Sequence, residues 1–271
     1  MAGETRMIVD AGLRDAVIAL AQQAARRILD VYGDAFDVVR KDDASPLTAA
    51  DLASHHCIVD GLAALTPGIP VLSEESPDAD KAQRHQWKRL WLVDPLDGTR
   101  EFVKRNGEFC ICIALIVDGV AVFGLIQQPT TGLAWFGAPG QGAWRREHGV
   151  DVPLHVRRGD GALRVAASRS HRDARTQALI DRIGNVDSVP CGSALKFCKI
   201  AEGAIDLYPR FGPTCEWDTA AGQAIVEGAG GVVMDAQGRP FRYNQRDTLL
   251  NGDFMAMGDP ALPWRNWLEY S

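Results

Sequence analysis

Apolar residues recur at helical spacing from Asp10 to Tyr32 (Leu13, Val17, Ile18, Ala21, Ala25, Ile28, Leu29), and Gly33 follows as a natural stop. The chain therefore opens with a long amphipathic helix. After Phe36 to Val39 comes a polar loop, Lys41-Asp42-Asp43-Ala44-Ser45-Pro46, and a second helix is predicted from about Thr48 to Leu65, ended by Pro67-Gly68. Ile69 to Leu72 reads as a strand that stops at Ser73-Glu74-Glu75. From Leu90 to about His155 the pattern becomes strand-rich: Leu90 to Val93, Phe109 to Val117, Val120 to Gln127 and a glycine-punctuated region from Trp135 to Trp144. Beyond Leu163, short apolar runs (Leu163 to Ala167, Ser188 to Cys191, Ile205 to Tyr208, Gly231 to Met234) alternate with helical stretches near Ala174 to Ile183, Ser193 to Glu202 and Asp218 to Glu227. The pattern predicts an α/β protein of the layered α+β kind. Residues 1–158 form an α+β half and residues 159–271 an α/β half, packed tightly, since no repeat, low-complexity tract or linker separates them.

Composition narrows the function. With 46% hydrophobic and 24% charged residues, 271 residues can bury a large core. A net charge of -6 gives no overall basic field for nucleic acid or an anionic membrane, so a phosphate ligand would need locally placed cations or metal. The most apolar stretch, Cys110 to Ile126, is broken by Asp118-Gly119 and reads as a hairpin, not a membrane span. No signal-peptide core follows Met1-Ala2-Gly3-Glu4-Thr5-Arg6, so the cytoplasm is the expected location. Six cysteines without a CxxC pair are expected to be buried and reduced.

The chemistry concentrates in Trp91-Leu92-Val93-Asp94-Pro95-Leu96-Asp97-Gly98-Thr99. A buried strand that ends in Asp opens on a crevice, where ligands of α/β sheets bind. Pro95 is expected to stop the ladder and leave the Leu96 carbonyl facing the same point as Asp94 and Asp97, an all-oxygen set that suits a hard cation. Gly98 lets the backbone approach a ligand, and Thr99 can open a helix whose free N–H groups suit a phosphate. Asp-Pro and Asp-Gly are also ordinary turn formers. Three further acidic contexts shift the balance: Glu74-Glu75 at a strand end, Asp218 at a helix start and Asp51 within a helix. Singly these read as a solvated strand end, a plain N-cap and an exposed helix residue; jointly they argue for a multi-carboxylate magnesium site.

The ordered set Leu72-Ser73-Glu74-Glu75, Asp94-Pro95-Leu96-Asp97-Gly98-Thr99 and Trp217-Asp218-Thr219-Ala220-Ala221-Gly222 resembles the inositol monophosphatase superfamily of metal-dependent, lithium-sensitive phosphatases. Lys104-Arg105-Asn106-Gly107-Glu108-Phe109, Gly192-Ser193-Ala194-Leu195-Lys196-Phe197-Cys198, Ala201-Glu202-Gly203 and Leu207-Tyr208-Pro209-Arg210-Phe211-Gly212-Pro213-Thr214 are similar to its bacterial 3'(2'),5'-bisphosphate nucleotidases, the CysQ type. The resemblance covers roughly Ser45 to Gly230. It implies an α/β/α/β/α sandwich with the metal site between the halves.

It also implies roles. Glu74, Asp94 and the Leu96 carbonyl match the ligands of one Mg2+; Asp94, Asp97 and Asp218 match those of a second, with Asp94 bridging. Glu75 matches a residue behind these ligands or at an additional metal, for two or three ions in all, which Mn2+ could replace and Li+ should inhibit. Asp51 and Thr99 match the pair that orients and deprotonates the attacking water, and neither Ser73 nor a cysteine is expected as nucleophile. Gly98 belongs to the substrate surface together with Glu74, Leu96, Asp97, Thr99 and Asp218. Ser193, Lys196, His171 and Arg210 match positions at the nucleotide, Arg210 suiting a forked contact to the 5'-phosphate. Read without the resemblance, Gly192-Ser193 caps a helix whose N-terminus, with Lys196 one turn on, suits a phosphate or is an ordinary capped helix with an exposed lysine, while His171 reads as a loop histidine and Arg210 as a surface arginine. Glu216 is expected to point away from the site, and His55, one helical turn after Asp51, to be structural.

The implied reaction is Mg2+-dependent hydrolysis of the 3'-phosphate of adenosine 3',5'-bisphosphate, with the sulfated nucleotide 3'-phosphoadenosine 5'-phosphosulfate as a further substrate and a link to sulfate assimilation. An inositol-phosphate or sugar-phosphate phosphatase shares the metal motifs, and a non-catalytic sensor could keep the fold. Lys196 and Arg210 favour the nucleotide; retention of Asp51 and Thr99 disfavours the sensor. A homodimer and peripheral association with the cytoplasmic face of the inner membrane are compatible with the resemblance, and no nucleic acid or integral membrane partner is expected.

Overall fold

In a computed structural model, which describes residues 9–33, 46–158, 161–167 and 174–268, α1 (Ala11–Gly33) and α2 (Pro46–Leu65) pack together across one face of a seven-stranded sheet. Its strands are β1 (Val71–Ser73), β2 (Arg89–Asp97), β3 (Cys110–Val117), β4 (Val120–Gln127), β5 (Ala134–Ala138), β6 (Gly142–Glu147) and β7 (Val150–Pro153), neighbours in that order. Only β1 and β2 are parallel. A parallel pair needs a crossover, which α3 (Asp78–Gln83) and a 3₁₀ turn at Arg84–Gln86 provide. After β2 comes the single-turn α4 (Thr99–Val103).

The second sheet has the order β11-β12-β10-β8-β9. Its strands are β8 (Leu163–Ala167), β9 (Val186–Pro190), β10 (Leu207–Arg210), β11 (Val232–Asp235) and β12 (Phe254–Met257). Between the sheets lie α6 (Leu195–Ala201) and α7 (Glu216–Gly228), in a core that joins Leu92 and Trp135 to Phe197, Ile225 and Phe254. The outer face of the second sheet is covered by α5 (Ala174–Ile183) and a 3₁₀ turn at Trp264–Trp267. The result is the expected α/β/α/β/α sandwich, and apolar alternation explains it. On β2, Trp91 and Val93 face the helix pair while Leu90 and Leu92 face the central layer.

Several expected boundaries move. The Trp135 to Trp144 region resolves into β5 and β6, followed by β7. The strand expected over Ile205 to Tyr208 begins at Leu207 and continues to Arg210, and α7 starts at Glu216, two residues before Asp218. β12 lies in a C-terminal stretch that the pattern left without an element, yet it pairs with both β10 and β11. The Phe36 to Val39 segment and the loop at 41–45 lie outside the described residues.

α7 rests on the first sheet at backbone distance. A Cβ on Gly124 of β4 would stand 2.2 Å from the Ala221 carbonyl oxygen, so only glycine lets helix and strand approach this closely. That approach brings Asp218, near the start of α7, to the end of β2.

Candidate active site

Residues three apart on a regular strand point to opposite faces, so Asp94 and Asp97 converge only because β2 is irregular. Asp94 pairs with Cys112 and Asp97 with Cys110: three steps along β2 oppose two along β3. One residue is extra, and Pro95, which has no N–H to give to the ladder, falls in that bulge. The strand therefore continues through Pro95 to Asp97 instead of stopping, which corrects the expectation. The bulge turns Asp97 to the same face as Asp94 and Leu96 to the helix side, where it joins the α1/α2 core. It is pinned twice: the Leu96 N–H donates to Asp94 Oδ1 (2.9 Å), and Ser54 Oγ on α2 donates to the Pro95 carbonyl (2.8 Å). Gly98 follows at φ +97, a left-handed conformation, and opens α4 at Thr99 as expected.

Asp94, Asp97 and Asp218 each offer one oxygen within 4.8 Å of the others'. Asp218 is the third residue of α7 rather than its N-cap; its Oδ2 accepts the Cys215 N–H (2.8 Å), which fixes the carboxylate beside the helix start. Glu74 follows β1, where its N–H donates to the Val93 carbonyl. Asp51 on α2 is half-buried, and its Oδ1 is sealed from solvent with no hydrogen-bond partner among the described residues. His55 Nδ1 lies 2.9 Å from Ser73 Oγ and ties α2 to β1, the structural part expected of it.

The electrostatics are those of crowded acids, whose repulsion and burial Lys81, Lys196 and Arg210 offset only in part. Burial and the neighbouring Glu75 and Glu74 push Asp51 up to about 8. Burial, then Glu75 and Asp97, raise Glu74 to about 7, and burial with Asp97 raises Asp218 to about 7. Asp94, only 2% exposed, is raised well above the carboxylate range by burial and by Asp97, Glu74, Asp218 and Asp51 together. Buried carboxylates are stable when paired or when they coordinate metal. An all-oxygen donor set with an orphaned buried oxygen beside it fits one or more hard divalent cations. The Cys112 thiol is raised far above its usual range by its hydrogen bond with Cys110 and by burial, so it is no nucleophile. Five of the six cysteines are buried and all are free, as expected.

Asp97, Gly98, Thr99 and Asp218 line a cavity of about 550 Å³ together with Ser193, Lys196 and Arg210. Glu75 is exposed at the end of β1. The expected cap of α6 is different in detail: Ala194 is the N-cap, and Ser193 is left-handed at φ +46. Lys196 is 6% exposed, not a surface lysine; its Nζ donates to the Ser193 carbonyl (2.9 Å) and stands 5.1 Å from the Tyr208 ring centre. Arg210 folds over the carbonyls of Gly212 and Pro213 at the cavity wall. His171 lies outside the described residues. Glu216 points away from the acids, accepting from the Asn244 N–H (2.7 Å) and Arg246 (2.9 Å).

Two contacts between the β2–β3 region and the turn before α6 were missed in the sequence. Ala194 N–H donates to Asp97 Oδ2, and Glu108 Oε2 accepts the Gly192 N–H (2.8 Å). Together they hold the 192–194 turn against β2 and β3. Glu108 sits inside a quoted motif, but nothing in one sequence shows which backbone a carboxylate will meet.

The chain belongs to the inositol monophosphatase family, whose model matches residues 11–260. Within it, the chain is 49% identical over 242 residues (89% of this chain, 97% of the relative) to 3'(2'),5'-bisphosphate nucleotidase CysQ of Escherichia coli O157:H7, and 48% identical over the same length to that of strain K12. Among solved structures, CysQ from Bacteroides thetaiotaomicron superposes with a TM-score of 0.82 at 39% identity, covering 90% of this chain and 97% of that one. An inositol monophosphatase from Zymomonas mobilis superposes at 0.77 with 29% identity, covering 95% and 98%.

Proposed function

We propose that this chain is a Mg2+-dependent phosphatase that hydrolyses the 3'-phosphate of adenosine 3',5'-bisphosphate to AMP and inorganic phosphate, and that 3'-phosphoadenosine 5'-phosphosulfate is also a substrate. The observation that carries the reading is the meeting of Asp94, Asp97 and Asp218 beside a cavity that Lys196 and Arg210 also line, in a chain about half identical to named bisphosphate nucleotidases. Glu74, Asp94 and the Leu96 carbonyl would hold one cation; Asp94, Asp97 and Asp218 would hold a second, with Glu75 near a third. Bound there, Mg2+ supplies Lewis acidity that neutralises phosphoryl charge and makes water a stronger nucleophile.

The protein's own groups supply position. Thr99 orients the attacking water, and Asp51, deprotonated once cations occupy the neighbouring acids, accepts its proton as general base. Because charge in phosphoryl transfer spreads over the equatorial oxygens, no covalent enzyme intermediate is required. Ser193, Lys196, Arg210 and His171 bind the nucleotide, Arg210 at the 5'-phosphate.

The test is phosphate release from adenosine 3',5'-bisphosphate, inositol 1-phosphate and fructose 1,6-bisphosphate in parallel, with Mg2+, with a chelator, and with Mg2+ plus Li+. The nucleotide should be hydrolysed fastest, only with the cation, and Li+ should slow it. Preference for the inositol or sugar ester overturns the substrate; no Mg2+-dependent turnover on any of them overturns the enzyme.

A further inference from the structure

Behind the carboxylates stand two sulfurs. Cys110 and Cys112 are two apart on β3 and share a face, and because they are the register partners of Asp97 and Asp94, that face is the one carrying the acids. Cys110 Sγ lies 3.7 Å from Asp97 Oδ2 and 3.5 Å from Ser193 Oγ. One Asp97 oxygen and the two sulfurs all lie within 4.8 Å of one another. Asp97 lines the cavity, while both thiols are buried behind it.

These separations are close to the edges of a soft-metal tetrahedron. Tetrahedral zinc, with Zn–S of about 2.3 Å and Zn–O of about 2.0 Å, has S···O edges of about 3.5 Å and S···S edges of about 3.8 Å. The Cys110–Asp97 separation of 3.7 Å already matches such an edge. The sulfur pair has to close by at most about 1 Å, and Cys112 to Asp97 by at most about 1.3 Å, to match the remaining edges. Two thiols and one carboxylate leave a fourth position for water or a ligand. Magnesium avoids sulfur, whereas Zn2+ and Cd2+ favour it, so the neighbouring oxygen set and this one select different ions while sharing a carboxylate.

We propose that Asp97, Cys110 and Cys112 form a capture site for a thiophilic divalent cation, Zn2+ or Cd2+, and that its occupancy shuts the enzyme down by drawing Asp97 out of the oxygen set. Binding releases the two thiol protons to solvent. The inhibitory consequence rests on the proposed Mg2+ site; the binding itself does not.

The experiment titrates Cd2+ into the full-length, metal-free protein and follows the ultraviolet sulfur-to-cadmium charge-transfer band, with inhibition of nucleotide hydrolysis measured in excess Mg2+. The wild type should show a saturable band and inhibition reversed by a dithiol. Cys112→Ser and Cys112→Ala should weaken the band and raise the half-inhibitory Cd2+ concentration at least about tenfold, the scale of losing one metal-supporting group. Asp94→Asn, which removes the proposed Mg2+ bridge, should keep the band; it would do so even if the protein had no phosphatase activity, so the two readings fail separately. X-ray absorption on the wild-type cadmium complex should show two sulfur neighbours and at least one oxygen, a result that does not depend on any variant folding. An unchanged band and unchanged inhibition in both Cys112 variants, or a cadmium shell without two sulfurs, overturns the proposal.

Discussion

The carboxylate of Asp97 accepts the N–H of Ala194, ninety-seven positions further along the chain, so one side chain faces both the acidic cluster and the turn that opens α6. Charge and hydrogen bond can be separated by substitution. In Asp97→Asn the remaining oxygen can still accept from Ala194, but the anionic ligand is gone; kcat should fall at least about 100-fold, an electrostatic loss of the usual size, with little change in KM for the nucleotide. Asp97→Ala also releases the turn, and KM should rise about tenfold, as for a lost charged hydrogen bond. Steady-state kinetics on adenosine 3',5'-bisphosphate distinguish the two; equal KM values would show that Asp97 does not position the turn.

Stability should depend on pH in a direction set by the crowded acids. Asp51, raised to about 8, and Glu74 and Asp218, each raised to about 7, hold protons in the metal-free fold that the unfolded chain gives up near its ordinary values of 3.8 and 4.5. Between those limits the folded state binds more protons than the unfolded one, so their contribution is complete below about pH 4 and is lost as the pH rises toward 8. A divalent cation binds the deprotonated acids and reverses the trend. Calorimetry should therefore show a lower metal-free Tm at pH 8 than at pH 6, and a larger Mg2+-induced rise at pH 8. A Mg2+ effect equal at both pH values would contradict this.

Arg210 stands on the cavity wall with its guanidinium resting on carbonyls of its own loop, and its charge acts on Asp218 across the site. A planar cation so placed suits a nucleotide 5'-phosphate. Arg210→Ala should raise KM for adenosine 3',5'-bisphosphate about 10- to 100-fold, the value of a charge-assisted contact, and should have little effect with 3'-AMP, which has no 5'-phosphate. An unchanged KM for the bisphosphate would place that phosphate elsewhere.

Glu216 is next but one to Asp218, yet it is fully buried and occupied by the Asn244 N–H and Arg246. Its work is to hold the 244–247 loop, which Arg84 also grips through the carbonyls of Arg246 and Asp247. Glu216→Gln exchanges charged for neutral hydrogen bonds and should cost about 2 kcal/mol, a fall in Tm of roughly 4–8 °C for a protein of this size. The Mg2+ concentration for half-maximal activity should not move. A marked rise in that concentration would make Glu216 a cation ligand.

How far the chain could be read follows from the range of each interaction. α1, α2 and β3 were legible because their burial pattern is local, and the carboxylates because Asp94-Pro95-Leu96-Asp97 is a compact signal. The bulge was not: Pro95 signals an interruption, and only its pairing with β3 reveals that the strand resumes and turns Asp97 inward. β12 was missed because Phe254-Met255-Ala256-Met257 is a four-residue run buried on both faces, with no alternation to mark it. Whether Lys196 was a phosphate contact or an exposed lysine was not legible, because its partners, the Ser193 carbonyl and the Tyr208 ring, are set by the turn and by β10.

The approach of α7 to the first sheet gives the last prediction. A methyl group at Gly124 would meet the Ala221 carbonyl oxygen at 2.2 Å, and the clash is with helix backbone, which cannot rotate aside. α7 must then lift from β4, and since Asp218 rides on its first turn, the acidic cluster opens with it. Gly124→Ala should destabilise by about 3 kcal/mol, at the upper end of overpacking costs, lowering Tm by roughly 6–12 °C. Below that Tm it should also weaken Mg2+ activation, although residue 124 lies well along β4 and offers no ligand. Gly68→Ala, at a turn where an added Cβ meets nothing within 4 Å and φ is not left-handed, serves as the control and should leave Mg2+ activation unchanged. If Gly124→Ala kept wild-type stability and Mg2+ response, the helix would have room to move without carrying Asp218, and the close packing of α7 would not be what assembles the site.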